Sequence, residues 1–184
     1  CGMSLQKDLN IVVAGFGGQG ILFAGKVLAY AGLQEGMEIS WLPSYGPEMR
    51  GGTANCSICL SKEPIGSPLV VTPNVLVVMN LPSLDKFIDS VEPGGLVLVD
   101  SSLIDQKVER TDVTVCYLPA TRMAEDNGLK GLANIIMMGR LYAELPFCSE
   151  ENLDAGLQKC IPARKAAMLE SNRKAFELGR ASKE

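Results

Sequence analysis

The stretch VVAGFGGQGILFAGKVL, residues 12–28, decides how the rest of the chain is read. An apolar run feeds a Gly-x-Gly-x-x-Gly turn, and an apolar-periodic segment follows. Strand, tight turn and helix in that order open an α/β sheet. Glycines let the backbone turn sharply, and the amides freed at the positive end of the following helix face an anion. The pattern alone does not decide the matter, because close packing of helix on sheet also asks for small residues. The helix is expected from about Gly18 to Gln34, with Ile21, Leu28 and Ala31 towards the sheet and Ala24 and Gly25 allowing close approach.

Further β-rich runs recur outward from this unit: MEISWL (37–42), TANCSICLS (53–61), NVLVVMN (74–80), GLVLVDSS (95–102) and DVTVCYLP (112–119), with NIVVAG (10–15) the first strand. The unbroken apolar character of Ile11 to Ala14, Val75 to Met79 and Leu96 to Val99 suits central strands covered on both faces. Only a glycine-rich loop separates WLP from TANC, which leaves no room for a crossover helix, so at least one strand is antiparallel. Leu81, Leu84, Ile88 and Val91 mark a helix stopped by EPGG. The C-terminal third reads as helical, through LANIIMMGRLYAEL, a helix capped by Ser149 with Glu150 and Glu151 in its first turn, and a last helix from about Arg164 to Leu178. The broad apolar character of residues 132–145 fits either core packing or a subunit contact. The expected fold is therefore α/β, a mixed, mostly parallel open sheet with helices on both faces and a helical C-terminal third. Residues 1–184 read as one domain, since no linker-like stretch divides them.

Composition narrows the chemistry. With 17 basic and 21 acidic residues the net charge is −4, which gives no reason to expect nucleic acid as a partner. Mean hydropathy is +0.16, yet no apolar run reaches the roughly 18 residues of a membrane span, and no signal-peptide pattern opens the sequence, so a cytoplasmic location is expected. The chain has no histidine, which removes the commonest general base and the commonest zinc ligand. Cys56 and Cys59 form Cys-x-x-Cys, but at strand period they point to opposite faces and cannot easily grip one metal. No residue is assigned a catalytic step and none a metal.

Ligands of open α/β sheets sit beyond the carboxyl ends of the strands. The first strand ends in Gly15-Phe16-Gly17-Gly18-Gln19-Gly20, the second in SYGPEMRGG (44–52), the fourth in Asn80 and the fifth in Asp100-Ser101-Ser102. A dinucleotide site also wants an acid at the end of the second strand, for the ribose hydroxyls. That strand ends in Trp41-Leu42-Pro43-Ser44, with Glu38 at its start and Glu48 well inside the next loop, so phosphate contact is a better reading than NAD binding. The second loop combines Tyr45, Glu48, Met49 and Arg50, more chemistry than a turn requires, although an internal Glu48 to Arg50 contact on a solvated turn also accounts for two of them.

GFGGQGI (15–21) followed by YGPEMRGGTANC (45–56) resembles the gamma subunit of the 2-oxoacid:ferredoxin (or acceptor) oxidoreductases, the pyruvate, 2-oxoglutarate, 2-oxoisovalerate and indolepyruvate enzymes. MNLPSLDKF (79–87), PGGLVLVDSSLI (93–104), LPAT (118–121) and NIIMMG (134–139) continue the likeness across residues 10–178. The resemblance implies a multisubunit enzyme that oxidatively decarboxylates a 2-oxoacid, 2-oxoglutarate slightly ahead of pyruvate, to an acyl-CoA. Thiamine diphosphate, Mg2+ and an iron-sulfur cluster would be held by alpha, beta and delta or ferredoxin-like partners, with electrons passing to ferredoxin. No cofactor is expected on this chain alone, which has neither a Gly-Asp-Gly motif nor closely spaced cysteines fit for a cluster. The implied role is to complete the assembly and help form the CoA region. The cofactor-facing candidates are Gly15, Gly17, Gly18, Gln19 and Gly20, then Tyr45, Glu48, Arg50, Gly51 and Gly52, and finally Asn80, Ser101 and Ser102, with Arg50 the natural partner for a phosphate or carboxylate. Two rival readings are a stand-alone nucleotide-dependent oxidoreductase using the Gly15 turn and a small-ligand regulatory domain on the same scaffold.

Overall fold

The apolar runs do become the centre of a sheet. In a computed structural model that describes residues 8–44 and 53–183, six strands pair in the order β2-β3-β1-β4-β5-β6. They are β1 (Leu9–Phe16), β2 (Glu38–Ser44), β3 (Thr53–Ser61), β4 (Val75–Val78), β5 (Leu96–Asp100) and β6 (Thr114–Leu118). β3 runs antiparallel to both neighbours, while β1, β4, β5 and β6 pair in parallel, so the sheet is mixed and mostly parallel. The antiparallel strand is the one announced by the short connection after WLP.

Strand alternation sends Ile11, Val13, Val77 and Leu98 to one face and Val12, Ala14, Val78 and Val99 to the other, and both sets are buried. The first face carries α1 (Ile21–Gln34), α3 (Ala120–Asp126), α4 (Ala133–Glu144), α5 (Glu150–Cys160) and α6 (Ala166–Ala181). The second carries α2 (Leu81–Phe87) and irregular chain; Val70 N–H, for example, donates to Ser57 Oγ at 3.2 Å across the back of β3. Cys56 lies under α1, its Sγ 3.7 Å from the Ile21 carbonyl, and Cys59 lies on the opposite face near the Ser67 carbonyl.

Residues 132–145 are core. Ile135, Ile136, Met137, Met138 and Leu141 are fully buried, because α4 is sandwiched between the sheet and α6. The two helices touch backbone to backbone: a Cβ added at Gly139 would lie 2.0 Å from the Phe176 carbonyl oxygen, and one at Gly179 1.8 Å from that of Ile136. Ser149 caps α5 as expected, accepting from Asn152 N–H at 3.1 Å.

Four helix boundaries differ from the sequence reading. A 3-10 turn (Gly17–Gln19) precedes α1, and Gly20 at φ 70° separates the two, so the helix starts at Ile21 and not Gly18. The segment after Asn80 splits into α2 and a 3-10 turn (Ile88–Ser90). The last helix runs past Leu178 to Ala181, after a 3-10 turn at Ala163–Lys165. The short α3 was not expected at all, its ATRMAED carrying too little apolar periodicity to declare a helix.

Candidate functional site

The chain leaves β1 through α1 towards β2, on one side, and leaves β4 through α2 towards β5, on the other. The carboxyl ends of β1 and β4 therefore flank the switch point of the sheet, the position at which open α/β sheets in general take their ligands. Phe16–Gly20 and Asn80 both lie there.

Within the turn the glycines divide into two kinds. A Cβ on Gly15 would lie 2.5 Å from Gln19 Oε1 and 2.8 Å from Ile21 Cδ1, and one on Gly20 would lie 2.5 Å from Asn134 Nδ2, in a left-handed backbone that disfavours side chains anyway. Gly17 and Gly18 meet nothing within 4 Å among the described residues, and both are exposed. The outer glycines serve the chain's own packing; the inner two present bare backbone at the surface.

Gln19 holds the turn to the neighbouring strand. Its Oε1 accepts from Phe16 N–H at 2.6 Å and its Nε2 donates to the Met79 carbonyl at 3.1 Å, bridging β1 to the end of β4. The amide is therefore engaged within the chain. Asn80 is 1% exposed; its Oδ1 caps α2 through Ser83 N–H at 3.0 Å, and its Nδ2 has no partner among the described residues.

Ser101 and Ser102 belong to a joint between β5 and α3. Asp100, fully buried, accepts from Ser102 N–H at 3.1 Å and from the Thr121 hydroxyl at 2.6 Å. Ser102 Oγ in turn accepts from Arg122 N–H at 3.0 Å, and Ser101 N–H donates to the Leu118 carbonyl. Tyr45, Glu48, Arg50, Gly51 and Gly52 lie outside the described residues. The positions that bound them are fixed: Ser44 pairs with Asn55, and Thr53 pairs with Phe16, at the edge that bears the glycine turn.

Two features escaped the sequence reading. Asn134, on the first turn of α4, is 3% exposed and donates through Nδ2 to the Gly20 carbonyl at 2.9 Å, tying α4 to α1. Lys130, exposed just ahead of α4, faces no carboxylate partner among the described residues. A lone amide in the apolar string ANIIMM was the available signal for Asn134.

The geometry disfavours a dinucleotide. The strand beside β1 is the antiparallel β3, so no strand end lies where the ribose-binding acid belongs. Glu38 pairs with Ser61, at the opposite end of β2 from Ser44, roughly 20 Å away at strand rise. Among the described residues no three His, Cys, Asp or Glu side chains gather for a metal, and burial pushes the Cys56 and Cys148 thiols up to about 12 and Cys160 up to about 11. These sulfurs stay protonated and behave as packing. No helix among the described residues is long and apolar enough to cross a membrane.

Comparison with known proteins agrees with this architecture. The gamma subunit of a keto/oxoacid ferredoxin oxidoreductase from Geobacter sulfurreducens superposes with a TM-score of 0.83 at 27% identity, over 94% of each chain. A 2-oxoglutarate:ferredoxin oxidoreductase from Magnetococcus marinus, solved with 2-oxoglutarate, coenzyme A and succinyl-CoA bound, gives a TM-score of 0.84 at 26% identity over 96% of this chain and 31% of that one. In sequence, the chain is 37% identical over 163 residues to the 2-oxoglutarate synthase subunit KorC of Methanocaldococcus jannaschii, covering 87% of this chain and 86% of KorC. It is 40% identical over 173 residues to the ketoisovalerate oxidoreductase subunit VorA of Methanothermobacter thermautotrophicus, covering 94% of this chain but spanning only 36% of VorA. Residues 10–182 match the family model for pyruvate ferredoxin/flavodoxin oxidoreductase. The chain belongs to the pyruvate ferredoxin/flavodoxin oxidoreductase family.

Proposed function

We propose that this chain is the gamma subunit of a multisubunit 2-oxoacid:ferredoxin oxidoreductase, completing the assembly and lending the edge around Gly15–Gly20 to the coenzyme A region. The observation that carries the reading is the family match across residues 10–182, joined to a glycine turn that Gln19 braces against the end of β4 at the switch point of the sheet. Alpha and beta chains, with a delta or ferredoxin-like chain, are the partners. The thiamine diphosphate, Mg2+ and iron-sulfur cluster that supply decarboxylation and electron transfer are assigned in this reading to those partners.

The substrate proposed is 2-oxoglutarate, because KorC matches this chain over nearly the whole of both. The VorA likeness supports a branched 2-oxoacid as the second reading. Around the ligand, Gly17 and Gly18 offer backbone, Gln19 and Gly15 hold the turn, and Asn80, Ser101 and Ser102 shape the floor and rim. Tyr45, Glu48, Arg50, Gly51 and Gly52 complete the surface, with Arg50 meeting a phosphate or carboxylate.

Native mass spectrometry of the complex from its source tests the assignment. The expected result is this chain bound to larger partners, in an assembly that reduces ferredoxin with 2-oxoglutarate only when coenzyme A is present; the isolated chain is inactive. Recovery as a free monomer overturns the subunit role, and turnover with 2-oxoisovalerate in place of 2-oxoglutarate moves the substrate to the second reading.

A further inference from the structure

On the face of the sheet opposite α1, β3 presents Ser57, Cys59 and Ser61, all buried, and each holds the chain that follows the strand. Glu63 N–H donates to Ser61 Oγ at 3.0 Å, Cys59 Sγ lies 3.9 Å from the Ser67 carbonyl, and Val70 N–H donates to Ser57 Oγ at 3.2 Å. Residues 62–72 are thereby laid as a strap across the back of the sheet, and Pro64 and Pro68 restrict its backbone further.

The strap turns apolar side chains outward. Val70 packs against the back-face core, while Leu69 and Val71 on either side of it are 57% and 71% exposed, more than any other large hydrophobic among the described residues. Leu42 of β2 joins them, because it is 38% exposed and pairs with Ser57, whose hydroxyl holds Val70. Residues 64–74 include no charged side chain, in a chain that is 21% charged. A solvated loop has no need to be pinned, apolar and uncharged at once, whereas the middle of a protein contact does. One end of the patch is acidic. Glu38 pairs with Ser61, and Ser61 Oγ donates to Asp8 Oδ1 at 2.8 Å, so exposed Asp8, Glu38 and Glu63 surround Ser61, with Lys62 beside them. Ser61 lies about 13 Å from Ser57 at strand rise.

We infer that Leu42, Leu69 and Val71 are the centre of the face by which this chain seats on a larger chain of the oxidoreductase. The partner surface is apolar at its middle and basic where it meets Asp8, Glu38 and Glu63. The inference rests on the subunit reading proposed above and adds which face is covered. The relatives support a larger chain as the occupant. VorA and the Magnetococcus marinus chain carry this domain as 36% and 31% of a longer polypeptide, so a covalent tether keeps it beside its neighbours there. A chain of KorC's length lacks that tether and depends on a face it can bury. A second copy of this chain, itself at net charge −4, is a poor match for the acidic end.

Two measurements test it. Leu69→Asp and Val71→Asp each raise the dissociation constant of this chain from the rest of the assembly about tenfold or more, followed by native mass spectrometry. Leu33→Asp, 49% exposed at the end of α1 on the other face, changes it by less than about twofold. All three side chains are exposed, so the urea midpoint of the full-length variants stays near wild type and reports that they fold. Equal weakening by Leu33→Asp, or none by either strap variant, overturns the face.

The second measurement needs no substitution. Amide hydrogen exchange from Leu69 to Thr72 slows about tenfold or more when the wild-type chain enters the assembly. An assembly that forms and turns over while these amides keep their free-chain rate refutes this face and leaves the subunit reading intact. Recovery of the chain without larger partners refutes both. Protection that arises in the isolated chain as it self-associates, and does not grow on assembly, gives the patch to a second copy and overturns the inference.

Discussion

Gly20 and Gly17 sit three residues apart in one turn and answer to different constraints. Alanine at Gly20 has to occupy a left-handed backbone and displace the Asn134 amide, so Gly20→Ala is expected to cost about 2–4 kcal/mol. Gly15→Ala meets Gln19 Oε1 and Ile21 Cδ1 and should be of similar severity. Gly17→Ala meets nothing among the described residues and should stay within about 0.5 kcal/mol of wild type. Urea denaturation of the three variants checks the split; a Gly17→Ala loss equal to that of Gly20→Ala would show that the inner glycine is also a packing residue. The pattern Gly-x-Gly-x-x-Gly was legible in the sequence, but the division of labour within it was not. It depends on which side chains arrive from residue 79 and residue 134, and a spacing rule carries no information about either. Gln19 illustrates the same limit, since its engagement with Met79 requires knowing that β4 lies beside β1.

Between elements, charge fastens what glycine brings together. Glu35, at the end of α1, accepts from the Asn152 side chain and from Ser149 N–H, binding α1 to the start of α5; those bonds hold its carboxyl below the ordinary value of 4.5. Asp154 on α5 takes both forks of Arg173 on α6, at 2.7 and 2.8 Å, and the guanidinium holds its carboxyl below 3.8. A carboxyl whose folded pKa is depressed binds its proton more readily in the unfolded chain. It therefore stabilises the fold fully above its ordinary value, and the contribution is lost as pH falls through the folded value. Both sites are partly open to solvent, so Glu35→Gln and Asp154→Asn should each cost no more than about 1 kcal/mol at pH 7 and less at pH 3, below the ordinary values of both carboxyls. Denaturation midpoints at the two pH values decide it; a loss of equal size at both would mean that shape and not charge is at work. Sequence periodicity found α1, α4 and α5 and the Ser149 cap because those signals are local. It missed α3 and misplaced the start of α1, where a buried Asp100 to Thr121 bond and the backbone of one glycine set the boundary.

For the molecule as a whole, the position of β3 governs which ligands fit. A short loop announced that one strand runs against the rest, but it did not say where that strand sits. The crossover from β1 through α1 to β2 leaves a gap one strand wide, and β3 turns back from β2 to fill it. The neighbour of β1 on that side thus presents its beginning, Thr53, at the ligand edge, and the place where a dinucleotide-binding fold puts its ribose acid does not exist here. The missing acid was visible in the sequence as Pro43-Ser44; its structural cause was not. The prediction belongs to this scale: calorimetric titration of the purified chain with NAD, NADP and FAD should show no saturable binding up to about 1 mM, a limit that corresponds to roughly −4 kcal/mol. A micromolar dissociation constant for any of the three would reinstate an autonomous nucleotide-dependent enzyme on the Gly15 turn. Binding of pyrophosphate without binding of NAD would instead separate the two demands that the glycine pattern conflates, a seat for phosphate and a seat for the ribose beside it.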